Sequence, residues 1–572
     1  MPNSTTPSGN PPLSSMPGSR YENIRADGGR NHFGNAYYYV SGTVTQEREA
    51  RSVLQTLEPH INRNAAYNSF ERGQEGALIC MPGTREKILT KIQGWVGGEG
   101  PPVLWLHGPA GAGKSTIAQT IAEQCDKIYP KKLAFSYFFS KRNKNRDDLA
   151  KFMPTFAYQL VCTVPSLGSS VREAIHSDPS IFSLRLEDQA QALIVKPLGV
   201  VAEEMPSMVI VIDGLDEYSD VTSNLPLKDF IHILVRALTG TRIRIIFASR
   251  PEPYITATFN QLQNVEIMRI SLQDWETKTD VYKYLKTELS RVHVDKGIRI
   301  SSWPSEDDLQ TLVEKSEGIF IYASTLIKFI GDRNCNSMVR LQDVMKSHNG
   351  LDSLCTQVLV SAKEHDDFQC VLGFIMFLRQ PFSPKQLAQF LQLSAYSRFP
   401  EWSTNGIRFA LRGSSSILLI PDGDDYAIRP FHASLQDFLK DKSRSGEHFL
   451  DPAMNHEIIF YTSARLISND TDFFTESGQI VSYAYCNWCY HLTTLINSNN
   501  AGVDRSFLMT AIEDLMERLS QDCVARLVRM QSHEKAESWL VELEEVLTWI
   551  KRERSDLKAL VKVGEQLQEK VH

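Results

Sequence analysis

Short apolar runs alternate with helical patterns between about residues 60 and 270 of the chain. Between these runs, apolar residues recur at helical spacing, as in segments 149–162 and 228–238, which predicts helices there. Buried strands that alternate with helices are typical of a parallel sheet covered by helices on both faces, so the pattern predicts an α/β fold. The runs expected to be strands are "PPVLWLHG" (101–108), "LAFSYFF" (133–139), "SMVIVID" (207–213), "RIRIIFAS" (242–249) and "VEIMRI" (265–270).

Beyond residue 271 the strand signals become rare and helical patterns dominate. We expect a helical module over 271–350 and a helical C-terminal region over 451–572. Between them, helices precede the segment "SILLIPDGDDYAIRPF", whose Pro-Asp-Gly-Asp-Asp stretch predicts the turn of a hairpin. Helices followed by a hairpin and another helix predict a winged-helix module over 351–450.

The N-terminal part of the chain differs from the rest in amino-acid composition. Residues 1–58 are expected to be largely disordered, because the first 35 or so are rich in Ser, Pro, Gly and Asn. Within them, residues 35–46 are uncharged and β-prone, which leaves two interpretations open: a lone edge strand, or a zipper-forming signalling motif. The α/β domain is then expected to occupy residues 59–270.

Composition and net charge disfavour several classes of protein: those that bind nucleic acid, those that associate with membranes and those stabilised by disulfides. The 572 residues carry a formal net charge of -7, so no global basic field favours binding to nucleic acid or to an anionic membrane. Nine scattered cysteines indicate reduced thiols inside the cell rather than a disulfide framework. The pair Cys486 and Cys489 has the spacing of a metal or redox site, but without a second such pair we expect packed thiols. The apolar runs, such as 371–378, are too short to span a bilayer, so we expect a cytoplasmic protein.

The stretch "GPAGAGKST" lies between an apolar run and a helical pattern, where a phosphate-binding loop is found. Glycines let backbone N–H groups converge on phosphate oxygens, and the helix N-terminus adds a favourable dipole. Lys114 is expected to reach the β- and γ-phosphates, and Ser115 to place its hydroxyl on Mg²⁺. The residues predicted to bind nucleotide here are Gly108, Gly111, Gly113, Lys114, Ser115 and Thr116.

Acidic residues and an arginine end two later apolar runs. In "MVIVIDGLDEY", Asp213 at the end of a buried strand can hold the metal's water shell, and Asp216 or Glu217 could orient an attacking water. These acids favour an NTPase over a metabolic kinase. In "RIIFASR", Arg250 can sense a γ-phosphate through bidentate hydrogen bonds.

Read together, these motifs resemble the NACHT-type signalling NTPases of the STAND class, in the fungal NLR-like subgroup whose nucleotide domain is also described as nephrocystin-like. Flanking stretches extend the resemblance over about residues 60–500: "CMPGTREKIL", "SEGIFIYASTLIKFI" and "IRPFHASLQDFL". The resemblance implies ATP, ADP and Mg²⁺ as cofactors, an ADP-bound closed state, and an ATP-bound open state that forms a homo-oligomer. Hydrolysis would be slow and regulatory, and the output would be self/non-self recognition or regulated cell death through an unknown protein partner or effector.

The resemblance also gives His432 a role, as a winged-helix histidine that touches the β-phosphate and locks the closed form; on its residues alone it reads as a packed core histidine. The chain departs from plant and animal relatives at Gly318-Ile-Phe320, where some carry a proline that packs on the adenine, so the choice of base stays open. Two alternatives remain: a DNA-binding transcription regulator of the same class, disfavoured by the acidic net charge and the weakly basic wing, and a scaffold with low turnover.

Overall fold

The structure is a computed structural model that describes residues 44–553, apart from 141–145, 147–148, 202–204, 219–224, 263–264, 274–276, 301, 333–334, 363–366, 394–401, 470–477, 499–504 and 519–532. All described residues belong to one compact unit. Within them, no helix is both long enough and apolar enough to cross a bilayer.

Five parallel strands form a sheet in the order β2-β3-β4-β1-β5. They are β1 Val103–His107, β2 Leu133–Phe138, β3 Met208–Asp213, β4 Ile243–Ser249 and β5 Ile267–Ser271. Each matches a predicted run, which confirms the α/β expectation. The register pairs Asp213 with Ala248 and His107 with Ser249, so the carboxyl ends of β1, β3 and β4 meet at one edge of the sheet.

Helices cover both faces of this sheet, because its side chains alternate between two apolar layers. On one face, Leu104 and Leu106 join a core cluster with Ile117 and Ile121 of the helix after the glycine loop. On the other face, Trp105 stacks on Phe259 at a ring-centroid distance of 4.5 Å.

Ten helices precede or surround the sheet within the described ranges, and a π turn over Gln191–Val195 joins two of them. They are α1 Val44–Leu57, α2 Phe70–Gln74, α3 Glu86–Val96, α4 Lys114–Lys127, α5 Phe152–Thr163, α6 Gly168–Ser177, α7 Leu186–Ala190, α8 Lys196–Val200, α9 Leu227–Leu238 and α10 Pro253–Gln261.

The remainder of the described chain is helical apart from one short antiparallel hairpin. Its strands, β6 Leu418–Leu419 and β7 Arg429–Pro430, confirm the predicted hairpin; residues 418–430 are called the wing below. The helices are α11 Thr277–Asp295, α12 Glu306–Lys315, α13 Phe320–Gly331, α14 Ser337–Lys346, α15 Leu351–Ala362, α16 Phe368–Phe377, α17 Pro384–Gln392, α18 Thr404–Ala410, α19 Ala433–Lys440, α20 Lys442–Ser445, α21 Pro452–Asn469, α22 Gly478–Asn497, α23 Arg505–Arg518 and α24 His533–Glu553.

Buried residues from Val281 to Ile550 form one hydrophobic cluster that includes residues from each of these helices except α20. Cys489 is fully buried in it, and burial raises the pKa of its thiol well above the ordinary value. That environment suits a packed thiol, as expected for the pair with Cys486. The boundaries expected at residues 350 and 450 stay predictions, since the core is continuous across them.

The end of the N-terminal segment differs from the prediction. Residues 44–57 form α1 instead of continuing a disordered segment, and residues 44–46 are therefore helical rather than part of a strand. A Cβ added to Gly168 would lie 2.8 Å from the Cα of Ala50, so α1 and α6 approach closely. This packing, which local composition does not reveal, explains the order of α1. The rest of segment 35–46, like residues 1–34, lies outside the described residues.

Candidate nucleotide-binding site

The glycine loop connects β1 to α4 at the carboxyl edge of the sheet. Gly111 and Gly113 have φ angles of +74° and +91°, which L side chains rarely adopt. Gly113 directly precedes α4, so the helix N-terminus opens at the loop. This is the backbone arrangement that presents N–H groups to phosphate oxygens, as the sequence predicts.

Lys114 is the first residue of α4, and its side chain folds back over the loop. Its Nζ donates hydrogen bonds to the carbonyl oxygens of Gly108, at 2.9 Å, and Pro109, at 2.8 Å. Burial lowers the pKa of Lys114, and the nearby carboxylates of Asp216 and Asp213 oppose that shift. The ammonium is therefore held between the loop and the acidic end of β3, where a phosphate chain would lie. Thr116 follows on the same first turn of α4.

Ser115 and Asp213 come together, which was the central geometric expectation. A side-chain hydrogen bond joins them, and Asp213 is only 4% exposed. Burial raises the pKa of Asp213 to about 6, although Ser115, Arg72 and Lys114 all act to lower it. Mg²⁺ keeps several waters and takes one or two protein oxygens besides phosphates, so a paired hydroxyl and carboxylate fit this ion. When bound, Mg²⁺ would neutralise charge on the phosphates at this point.

Asp216 and Glu217 lie on a single 3-10 turn, Leu215–Glu217, directly after Asp213. Both carboxylate oxygens of Asp216 face Arg250: Oδ1 accepts from the Arg250 backbone N at 3.0 Å, and Oδ2 lies 3.1 Å from its Nε. Asp216 thus holds the arginine at the end of β4.

Arg250 reaches two parts of the molecule at once. In addition to Asp216, its Nη1 lies 3.4 Å from Oδ2 of Asp437, which belongs to α19 after the wing. The arginine predicted to sense a γ-phosphate therefore also joins the nucleotide edge of the sheet to the helix that follows the wing.

His432 has a role that neither sequence interpretation included. It is half-buried rather than packed in the core, and it caps the N-terminus of α19. Its Nδ1 accepts a hydrogen bond from the backbone N of Ser434 at 3.1 Å and lies 2.8 Å from that residue's hydroxyl. Its expected contact with a β-phosphate stays a prediction.

Residues 83–250, which contain the loop, Asp213 and Arg250, match the protein family described as "Nephrocystin 3, N-terminal". The chain is also 22% identical over 359 residues to vegetative incompatibility protein HET-E-1 of Podospora anserina. This match covers 61% of the chain but only 25% of the relative, so the chain spans about a quarter of that protein's length. These matches support a NACHT-like NTPase, and residues 83–250 are called the NACHT-like domain below.

Among solved structures, the Walker-type ATPase paby2304 of Pyrococcus abyssi is similar at 12% identity, covering 62% of this chain and 94% of that one. The TM-score of 0.32 is too low for a detailed comparison with the NACHT-like domain.

Arg85, at the start of the NACHT-like domain, contacts the loop but was not predicted as a site residue. Its side chain is buried, its φ is +59°, and its Nη2 donates to the carbonyl oxygen of Ala112 at 2.6 Å. Its guanidinium lies 4.6 Å from the ring centroid of Phe320. An aromatic ring from the stretch Gly318-Ile-Phe320 therefore supports a loop-contacting arginine. The stretch "CMPGTREKIL" was the available signal.

Arg72, from α2, is a second residue that the sequence did not reveal. Its guanidinium lies 4.1 Å from the ring centroid of Phe138, and its Nη2 donates to Gln119 of α4 at 3.0 Å. Burial lowers the pKa of Arg72, while the carboxylates of Asp213 and Glu217 oppose the shift, which places this cation within electrostatic reach of the acidic end of β3. No motif marks it, because it precedes every nucleotide signature in the chain.

Proposed function

We propose that the chain is a nucleotide-dependent signalling switch, closed with ADP and open with ATP. The observation that carries the proposal is the double contact of Arg250, to Asp216 beside the phosphate loop and to Asp437 on α19. A ligand shifts a conformational equilibrium only through contacts that differ between the two states. Arg250 offers such a contact, because a γ-phosphate would compete with Asp437 for the same guanidinium.

The competition favours release of α19 in the ATP state. An arginine fork binds phosphate by paired, charge-assisted hydrogen bonds, whereas the pair with Asp437 is long, and the Asp437 side chain is 51% exposed. ADP has no γ-phosphate, so the Asp437 contact would persist. Gly111, Gly113, Lys114, Ser115 and Thr116 would hold the nucleotide in both states, with Mg²⁺ at Ser115 and Asp213. Hydrolysis, with Asp216 or Glu217 orienting water, would be slow and would serve to reset the switch.

The class of output comes from the comparison with Podospora anserina. That relative is described as a vegetative incompatibility protein. We place this chain in the same kind of pathway, self/non-self recognition or regulated cell death in the cytoplasm, with homo-oligomers of the open state as the signal.

Size-exclusion chromatography with light scattering tests the proposal. With ADP we expect the mass of one chain, 64.7 kDa, and with a non-hydrolysable ATP analogue and Mg²⁺ a multiple of it. Lys114→Ala should remain monomeric with either nucleotide. Wild-type protein that binds both nucleotides and has the same mass in each would refute the switch and leave a scaffold.

A further inference from the structure

A short segment before the NACHT-like domain contacts the wing as well as the sheet. It comprises α2 with Glu75 and Gly76, residues 70–76, and is called the flanking segment below. The Ser69 hydroxyl accepts a hydrogen bond from the backbone N of Arg72 at 3.2 Å and so fixes the start of the helix. The flanking segment makes contacts both with the wing and with residues next to the sheet.

On the wing side, two carboxylates of the flanking segment hold one arginine. Arg429 of β7 donates from Nη2 to Oε1 of Glu71 and from Nη1 to Oε1 of Glu75, both at 2.9 Å. The three side chains are only 15–17% exposed. Such partly desolvated pairs are costly to break from one side, because the remaining charge loses its partner.

Apolar contacts accompany these ion pairs. The ring centroids of Phe70 and Tyr426 are 6.3 Å apart, which places the start of α2 against the loop of the wing. A Cβ added to Gly76 would lie 3.9 Å from Cδ2 of Leu419, so the end of the flanking segment reaches β6. The contact therefore extends along the whole wing.

On the sheet side, the flanking segment is anchored independently of the wing. Arg146, whose side chain is 2% exposed, donates from Nη2 to both carboxylate oxygens of Glu75, at 2.6 and 2.8 Å. Arg72 packs on Phe138 and donates to Gln119. Glu75 pairs with Arg146 as well as with Arg429, so loss of the Arg429 bonds alone would leave the flanking segment attached to Arg146.

The wing and α19, which follows it, are thus held at two contacts that differ in their distance from the phosphate loop. Arg250 meets Asp437 next to the phosphate loop, where a γ-phosphate could displace the contact. Arg429 meets Glu71 and Glu75 on a segment that bears none of the predicted phosphate ligands.

We propose that the flanking segment is an autoinhibitory latch, which holds the wing against the sheet through the pairs of Arg429 with Glu71 and Glu75, none of which is a predicted phosphate ligand. This inference rests on the proposed function in one respect, that release of α19, together with the wing that directly precedes it, is the activating step. It implies that ATP alone loosens one of two contacts, and that full opening needs the latch to be displaced as well.

Hydrogen–deuterium exchange of wing peptides (418–430) in the ADP-loaded full chain tests the latch. Arg429→Glu sets three carboxylates against each other, so we expect exchange at least about tenfold faster than in wild type. The double variant Glu71→Arg with Arg429→Glu restores one pair in reverse and should recover most of the protection. Arg236→Glu is the matched control: it makes the same charge change at an exposed pair with Glu187 and should leave the wing unchanged.

Unchanged wing exchange in Arg429→Glu would overturn the latch, as would failure of the reversed pair to restore protection. If Arg429→Glu does not fold, judged by loss of fluorescent ADP binding, Glu71→Gln serves instead. It removes one of the two carboxylate charges that face Arg429 while Glu75 stays paired, and we expect about threefold faster wing exchange, with no change counting against the latch.

The latch and the switch can fail separately. Faster wing exchange in Arg429→Glu, together with equal wild-type mass in ADP and the ATP analogue, would support the latch and refute the switch. A nucleotide-dependent change of mass in wild type, with wing exchange insensitive to Arg429→Glu, would support the switch and refute the latch.

Discussion

Two regions of the molecule differ in how far apart in sequence their interacting charged residues lie. One is the phosphate-loop edge of the sheet, called the loop edge below, and the other is the docking surface, where the wing and α19 contact the rest of the chain. At the loop edge, the predicted nucleotide-binding groups come from three compact motifs, each at the end of a strand. At the docking surface, Arg429 pairs with residues 354 and 358 positions away, and Arg250 with one 187 positions away. The comparison shows that the ligand site is encoded locally, whereas its coupling to the rest of the chain is encoded by single distant pairs.

The two regions also differ in what binding can change. Loop-edge groups, such as Ser115 with Asp213, would contact the ligand directly. Docking-surface groups can sense the ligand where they share a partner with the loop edge. Arg250 contacts both Asp216 and Asp437, and Arg72 lies within electrostatic reach of both Asp213 and Glu75.

Lys114→Ala should remove the main cation at the phosphates and weaken ADP and ATP binding by about 100-fold or more. Fluorescent-nucleotide titration measures this directly. Lys127→Ala, at the exposed end of the same helix, is the control and should bind normally. Unaltered affinity in Lys114→Ala would remove the loop edge from the account.

Asp213→Asn should abolish the Mg²⁺ dependence of ATP binding, with a loss of roughly tenfold to 100-fold in the presence of the metal. In the wild type, the increase in ATP affinity caused by Mg²⁺ should itself become smaller as the pH falls. The pKa of Asp213 is raised to about 6, so the carboxylate is ionised above that pH and takes up a proton below it, when it no longer binds metal well. Titrations with and without Mg²⁺ between pH 5 and 8 should show the metal's benefit lost on the acid side. A benefit that is equal at both ends of the range would contradict the assignment.

Gly111→Ala tests whether the phosphate loop packs closely against α13 of the helical module. The added Cβ would lie 2.1 Å from Cγ2 of Ile321, whose backbone N also donates to the Gly111 carbonyl at 3.2 Å. The positive φ alone costs about 1–2 kcal/mol for a residue with a side chain. We expect a melting temperature lower by several degrees, and partial recovery when Ile321→Ala is added, since the contact is relieved but the φ strain is not. A neutral Gly111→Ala would show that the loop and α13 do not pack this closely.

Substitutions of His432 are expected to have the smallest effect. They can separate its capping of α19 from its proposed contact with a β-phosphate. His432→Ala should cost about 1 kcal/mol through loss of the cap of α19, and should also increase spontaneous assembly in ADP. Asparagine is among the best capping residues, so His432→Asn should restore the melting temperature. If it also restores the monomer in light scattering, the cap accounts for the lock, and the phosphate contact is refuted.

The sequence was sufficient for the sheet and for the groups at its carboxyl edge. Strand ends place side chains at a fixed position in a parallel sheet, so the convergence of Ser115 with Asp213 follows from motif order alone. The capping role of His432, the cation Arg72 and the latch at Arg429 could not be predicted, because each depends on how distant modules pack. Helix α1 was missed for the same reason: its order comes from contact with α6 and not from its own composition.

The most direct test of the coupling between the two regions is hydrogen–deuterium exchange of α19 in the wild-type chain, with ADP or with a non-hydrolysable ATP analogue, both with Mg²⁺. If a γ-phosphate takes Arg250 from Asp437, peptides over 433–440 should exchange several-fold faster with the analogue, and Asp437→Asn should show the faster exchange already in ADP. Identical exchange of α19 in both nucleotides, at saturating occupancy, would contradict the account.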